Sequence, residues 1–146
     1  MAGTVPLISS GVAGPLGVVH LPRLWCKVLL GAKGQLADGY DQCGAGYDQM
    51  VLDGLGLDRD ATLSYLTDNI PSYPEFEAWV LEQKGGSLDS NAVSELNAAI
   101  AGYNHADDTR GAILGGAGIA DDGSILDAVN LNNLDDWTEF HGQLKG

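Results

Sequence analysis

At 146 residues the chain is long enough for one domain with one hydrophobic core, burying about 68–70% of the surface that its unfolded form exposes. Seven Lys and Arg against twenty Asp and Glu give a formal net charge of −13, which excludes sequence-independent nucleic-acid binding and disfavours anionic membrane surfaces. A hydrophobic content of 45% with a mean hydropathy of −0.02 excludes a disordered chain.

Residues 1–19, punctuated by Gly and Pro, read as an extended lead-in. The first helix is expected from Leu21 to about Leu36. Pro22 suits its first turn, and Leu21, Leu24, Trp25, Val28, Leu29, Ala32 and Leu36 share one apolar face. A Gly-rich loop over 39–49 follows, with the tetrapeptide GYDQ twice, too few copies for a repeat architecture. A short helix is expected over Asp48–Leu55. Asp58 or Asp60 caps the next, to about Asp68, and Pro71 stops it. Tyr73-Pro74 opens a helix through Lys84, and Asp89 or Ser90 caps one to about Tyr103. Asp107–Leu114 is helical, with Gly115-Gly116-Ala117-Gly118 as its stop. Ser124 caps a short helix through Val129, and a last helix, Leu134–Leu144, places Trp137, Phe140, His141 and Leu144 on one face. Asn133 and Asp135 are its expected caps, and His141 reads as a core or boundary histidine. No segment alternates with period two. The expectation is a compact all-α domain of seven or eight short helices over 1–146, with little or no strand.

Cys26 and Cys43 form no CxxC and no zinc spacing with His20, His105 or His141. A secretory n-region and h-region are missing from the first residues, and no apolar run reaches the ~18–20 residues of a membrane span. A cytoplasmic protein with reduced thiols is the expectation. The acidity is uneven: residues 1–37 carry no acid, whereas from residue 61 onward there are 14 acids against Lys84, Arg110 and Lys145. With fifteen Asp and only four Lys, the surface suits either a salt-rich habitat or an acidic mesophile.

Several blocks are familiar together: Gly14-Pro15-Leu16-Gly17 running into His20-Leu21-Pro22-Arg23, then Lys27, Gly46-Tyr47-Asp48, Glu77-Ala78-Trp79-Val80 and Tyr103-Asn104-His105. Asp121-Asp122-Gly123-Ser124 and the run from Asn130 to Trp137 complete the set. Over nearly its whole length the chain resembles a family of small bacterial proteins catalogued as domain of unknown function 5069. The resemblance implies a soluble bacterial protein of similar length and carries no activity with it.

His20, Arg23 and Lys27 stand out as the chain's candidate chemistry. On a helical wheel Arg23 and Lys27 lie about 40° apart, with His20 about 20° beyond. In a segment without acids, such a cluster suits a small anionic ligand or a partner's carboxylate. The alternative is a salt-bridge network, in which Arg23 and Lys27 pair with remote acids such as Asp48 or Asp53 and hold helices together. Tyr40, Tyr47, Asp41, Asp48 and Gln49 surround the following loop and supply donors and acceptors, although Asp and Gly also favour turns for local reasons.

Other patterns carry less. Gly116-x-Gly118 lacks the strand that a dinucleotide site requires. The oxygen-rich patch of Asp121, Asp122, Asn130, Asn132, Asn133, Asp135 and Asp136 lacks the spacing of a calcium loop. Cys26 points about 120° away from His20 on the wheel, and no G-x-S-x-G elbow occurs. No cofactor and no metal are expected, and oligomeric state is left open. The readings in play are a ligand-binding protein using His20, Arg23, Lys27, Tyr40, Tyr47, Asp48 and Gln49; a protein-interaction or structural module; and an enzyme with His20 or Tyr47 as acid or base.

Overall fold

Capping chemistry sets most of the helix starts. The computed structural model describes residues 3–146, and its helices are α1 (Leu21–Ala32), α2 (Tyr47–Leu55), α3 (Arg59–Asn69), α4 (Tyr73–Gln83), α5 (Ser90–Gly102), α6 (Asp107–Ala117) and α7 (Ala128–Lys145). Asp58 accepts from Ala61 N at 2.9 Å to open α3, and Asp89 accepts from Asn91 N at 3.0 Å to open α5. At α4, Ser72 and Glu75 close a reciprocal capping box. Among the described residues there is no strand. Isolated bridges join Thr4 to Leu36, Ala13 to Val19 and Asn104 to Asp127. The fold is all-α.

Helix α1 is the axis of the molecule. It packs on α3 and also touches α2 and α4, while α2 lies on α5, and α6 and α7 form a pair joined to the rest through α5. Leu21, Leu24 and Val28 of α1 meet Val51 and Leu52 of α2, Leu66, Phe76, Val80 and Ile100 in one core, each with essentially no exposed surface. The α2–α5 contact is close because Gly54 has no side chain: a Cβ there would sit 2.7 Å from a Leu96 methyl. The lead-in is a strap with fixed contacts. Thr4 N–H donates to the Gln35 carbonyl and its own carbonyl accepts from Ala37 N–H in the segment after α1, and Asn97 of α5 bonds both Val19 N and Gly17 O.

The chain departs from the expected elements at three places. Helix α1 stops at Ala32, because Gly34 turns left-handed (φ 65°) and Leu36 pairs with Thr4 instead. Helix α6 runs through Gly115 and Gly116 and ends only at Gly118, whose φ of 73° is the left-handed stop. In place of a Ser124-capped helix and a separate last helix, one helix of 18 residues starts at Ala128. Asp127 is its cap, accepting from Asn130 N at 2.9 Å, and Ser124 bonds Asp122 instead. Neither Asn133 nor Asp135 is a cap.

Helix α7 is also turned differently from the amphipathic reading. Leu131 and Asp136 are its buried side, whereas Trp137, Phe140, His141 and Leu144 are exposed, Trp137 by 58% and Leu144 by 72%. Successive helical residues are about 100° apart, so burying Asp136 against Arg23 swings Trp137 toward solvent. An ion pair, rather than the apolar stripe, orients this half of the helix.

Candidate functional site

The basic cluster is buried and neutralised. His20 caps α1 in the left-handed region (φ 69°, ψ −23°), a conformation costing about 1–3 kcal/mol unless the surroundings fix it. Two bonds do so: Nδ1 lies 2.9 Å from Ser10 Oγ and Nε2 lies 2.6 Å from Asp48 Oδ1. Arg23 forks onto Asp136 at 2.6 and 3.0 Å and donates to the carbonyls of Pro6 and Ile8 in the lead-in. Lys27 Nζ reaches Asp48 Oδ2 at 2.6 Å. The expected polar face of α1 is therefore interior, and Trp25 and Leu29 are its half-buried flank.

Asp48 is the hub. In the first turn of α2, it accepts from His20, Lys27 and the Gly44 backbone N–H, the last at 2.7 Å. These donors outweigh burial and hold its carboxyl down to about 2. Burial lowers the His20 pKa despite the neighbouring carboxylate, which favours the neutral imidazole; in that form Nε2–H donates to the Asp48 carboxylate, which can only accept, and Nδ1 accepts from the Ser10 hydroxyl. Ser10, His20 and Asp48 have the residue types of a hydrolytic triad. Ser10 is fully buried, however, and no substrate reaches it. Burial also raises both cysteine thiols, which removes the thiolate that nucleophilic chemistry needs.

The loop and α2 divide their residues. Tyr40 donates to Asp136 Oδ1 at 2.9 Å, and its hydroxyl is pushed well above the usual range, first by burial and then by Asp136. Tyr47 donates to the Ile100 carbonyl at 2.5 Å, with burial raising it to about 12. Gln49 lies elsewhere, bonded to Arg59 and Asp53. With Arg59 also held by the Gly44 and Cys43 carbonyls, that side of the loop is pinned.

His20, Arg23, Lys27, Tyr40, Tyr47 and Asp48 share the wall of one open cleft of about 370 Å³. Six of the seven residues singled out from sequence thus meet in one place, with Gln49 outside it. Its floor near α2 is Gly44-Ala45-Gly46, and the opposite wall is Tyr103, His105, Thr109, Ala128, Asn132 and Asp135. Ala128, Asn132 and Asp135 are one face of α7, spaced four and three residues apart. His105 Nε2 pairs with Asn132 Oδ1 at 2.8 Å. Tyr103 bridges Tyr47 and His105, with ring centroids 5.6 and 6.2 Å away. Asp135 forms no hydrogen bond or ion pair among the described residues, and burial together with Asp136 and Glu139 raises its carboxyl.

The sequence reading missed this second wall as a site, although Tyr103-Asn104-His105 and the Asn130-to-Trp137 run were among the blocks that carried the family resemblance. Its oxygen-rich patch scatters in space: Asp121 pairs with Arg110, Asp122 with Ser124, Asp136 with Arg23 and Asn132 with His105. No family model matches the chain and no curated protein matches it significantly, so the functional reading rests on this geometry.

Proposed function

We propose that the protein binds a small polar molecule in the cleft between α1, the 39–46 loop, the α5–α6 turn and the first turns of α7. What carries the reading is the pre-organised wall: on the α1–α2 side Arg23 is held by four bonds, Asp48 accepts three, and Lys27 is fixed by its bond to Asp48, so little ordering remains to oppose binding. The volume lies at the lower end for small-molecule sites. His20 and Tyr47 do not favour an acid–base enzyme, because both hydroxyl and ring nitrogens are engaged in internal bonds. The anionic ligand suggested by the sequence presupposes free cations, and Arg23 and Lys27 already hold Asp136 and Asp48. An anion there would have to displace a buried carboxylate. The family resemblance and the unbridged Cys26 and Cys43 support a bacterial, cytoplasmic setting.

A melting screen against small metabolites of each charge class tests the reading. A ligand at 100 times its Kd adds about 2.7 kcal/mol, which at this chain length raises Tm by roughly 5–10 °C. A screen in which no compound raises Tm overturns it. A second reading, a protein-interaction module, is favoured by the exposed Trp137, Phe140 and Leu144 stripe on α7. Sedimentation of the chain alone, over a range of concentrations, tests self-association through that stripe, and Trp137→Glu should abolish it.

A further inference from the structure

Once the internal ion pairs are closed, the cleft's remaining chemistry lies on the α7 side. Asp135 is the carboxylate left over. It sits on the cleft wall, half-buried, and neither Arg23 nor any other cation bonds it among the described residues. The four bonds that Arg23 makes go to Asp136 and to the Pro6 and Ile8 carbonyls. The same cleft has an aromatic stretch of wall: Tyr103 keeps 45% of its surface exposed and stands between the Tyr47 and His105 rings. A carboxylate without a hydrogen-bond or ion-pair partner, lining the same cleft as a part-exposed aromatic ring, is the combination that attracts an organic cation, through charge and through the ring quadrupole together. The chain's charge of −13 draws cations toward the molecule and repels anions.

We propose that the cleft selects a small alkylamine, its ammonium against Asp135 and its carbon chain along the Tyr103 ring. The assignment rests on the binding-cleft reading above and adds the ligand's charge. It also gives Asp135 and Tyr103 the selecting role, with Arg23, Lys27 and Asp48 as the rigid wall behind them.

Backbone amide NMR in 0.15 M NaCl, where the Debye length is about 8 Å and diffuse attraction is screened, tests it with four probes: 1,4-diaminobutane, its neutral analogue 1,4-butanediol, acetate and inorganic phosphate. The diamine should shift amides at residues 103–105 and 132–135 saturably. Asp135→Asn should weaken it by about tenfold or more with Tm unchanged or raised, and Tyr103→Ala should weaken it by a smaller factor. Saturable shifts at the cleft from only the diol or the anions would overturn the amine assignment and leave the cleft reading standing. Diamine shifts scattered over the acidic surface and indifferent to Asp135→Asn would also overturn the assignment. Silence from all four probes, with no hit in the melting screen, overturns both.

Discussion

Arg23→Ala is the most informative single substitution, because the structure prescribes what it leaves behind. The guanidinium is 5% exposed and makes four hydrogen bonds, two to Asp136 and one each to the Pro6 and Ile8 carbonyls. Truncation strands Asp136, itself 3% exposed, with only the Tyr40 hydroxyl. Breaking a buried pair by removing one partner costs about 3–5 kcal/mol, because an uncompensated charge stays in the interior. The two orphaned carbonyls place the expected loss at the upper part of that range, a large fraction of the ~5–15 kcal/mol total stability of a folded chain. With a urea m-value of about 2 kcal/mol/M, the unfolding midpoint should fall by roughly 2 M. Arg23→Met combined with Asp136→Leu should recover most of it, since a buried pair replaced together by apolar residues is often neutral. A loss under about 1 kcal/mol for Arg23→Ala alone would refute the buried-pair reasoning, and with it the explanation of why α7 presents Trp137 outward.

Three further outcomes are expected. The His20 pKa is lowered by burial and that of Asp48 to about 2, so in both cases the unfolded chain takes up the proton first. The stability tied to His20 is full above about pH 6.5 and is lost as pH falls below it, and the Asp48 share, about 2 kcal/mol, is lost between about pH 4 and 2; urea titrations at stepped pH check this, and a His20→Asn variant lacking the upper step confirms its source. Tm should rise as NaCl increases from low to physiological levels, because the Debye length shrinks from about 30 Å at 0.01 M and relieves repulsion among the carboxylates; a flat or falling trend contradicts this. Gly54→Ala, despite a gain in helix propensity of about 1 kcal/mol, should lower stability by about 1–3 kcal/mol by pressing on Leu96, and a raised Tm would show that α2 and α5 pack less closely.

The sequence was most legible where local chemistry decides. Asp58 and Asp89, each one of two candidate caps, and the Pro-opened turns of α1 and α4 mark helix starts correctly because a cap is a contact within three residues. The stop of α6 was misplaced because any of four consecutive small residues could end a helix, and only Gly118 adopts the left-handed turn. Helix α7 was misread for a different reason. Its i, i+3, i+4, i+7 stripe through Trp137 is a valid apolar face, but a buried pair 113 residues apart, Arg23 with Asp136, overrides it, and no local pattern announces such a pair. The site divides the same way. His20, Arg23 and Lys27 were visible as a wheel cluster, and Lys27 with Asp48 as a possible pair. The α7 wall was not, since Tyr103, His105 and Asn132 come together through the non-local pairing of residues 103–105 with 126–128 and the packing of Tyr103 on Tyr47.

The central claim is that this cleft holds a ligand. Thr109 lines its mouth and is exposed, so Thr109→Trp should close it while leaving stability within about 0.5 kcal/mol. Native mass spectrometry of freshly purified protein, run side by side on the two forms, measures the consequence. The expected result is a discrete small mass retained by the parent chain and absent from Thr109→Trp, with the Tm of the two forms matched once the ligand is removed; a mass carried by both forms, or by neither, contradicts the claim.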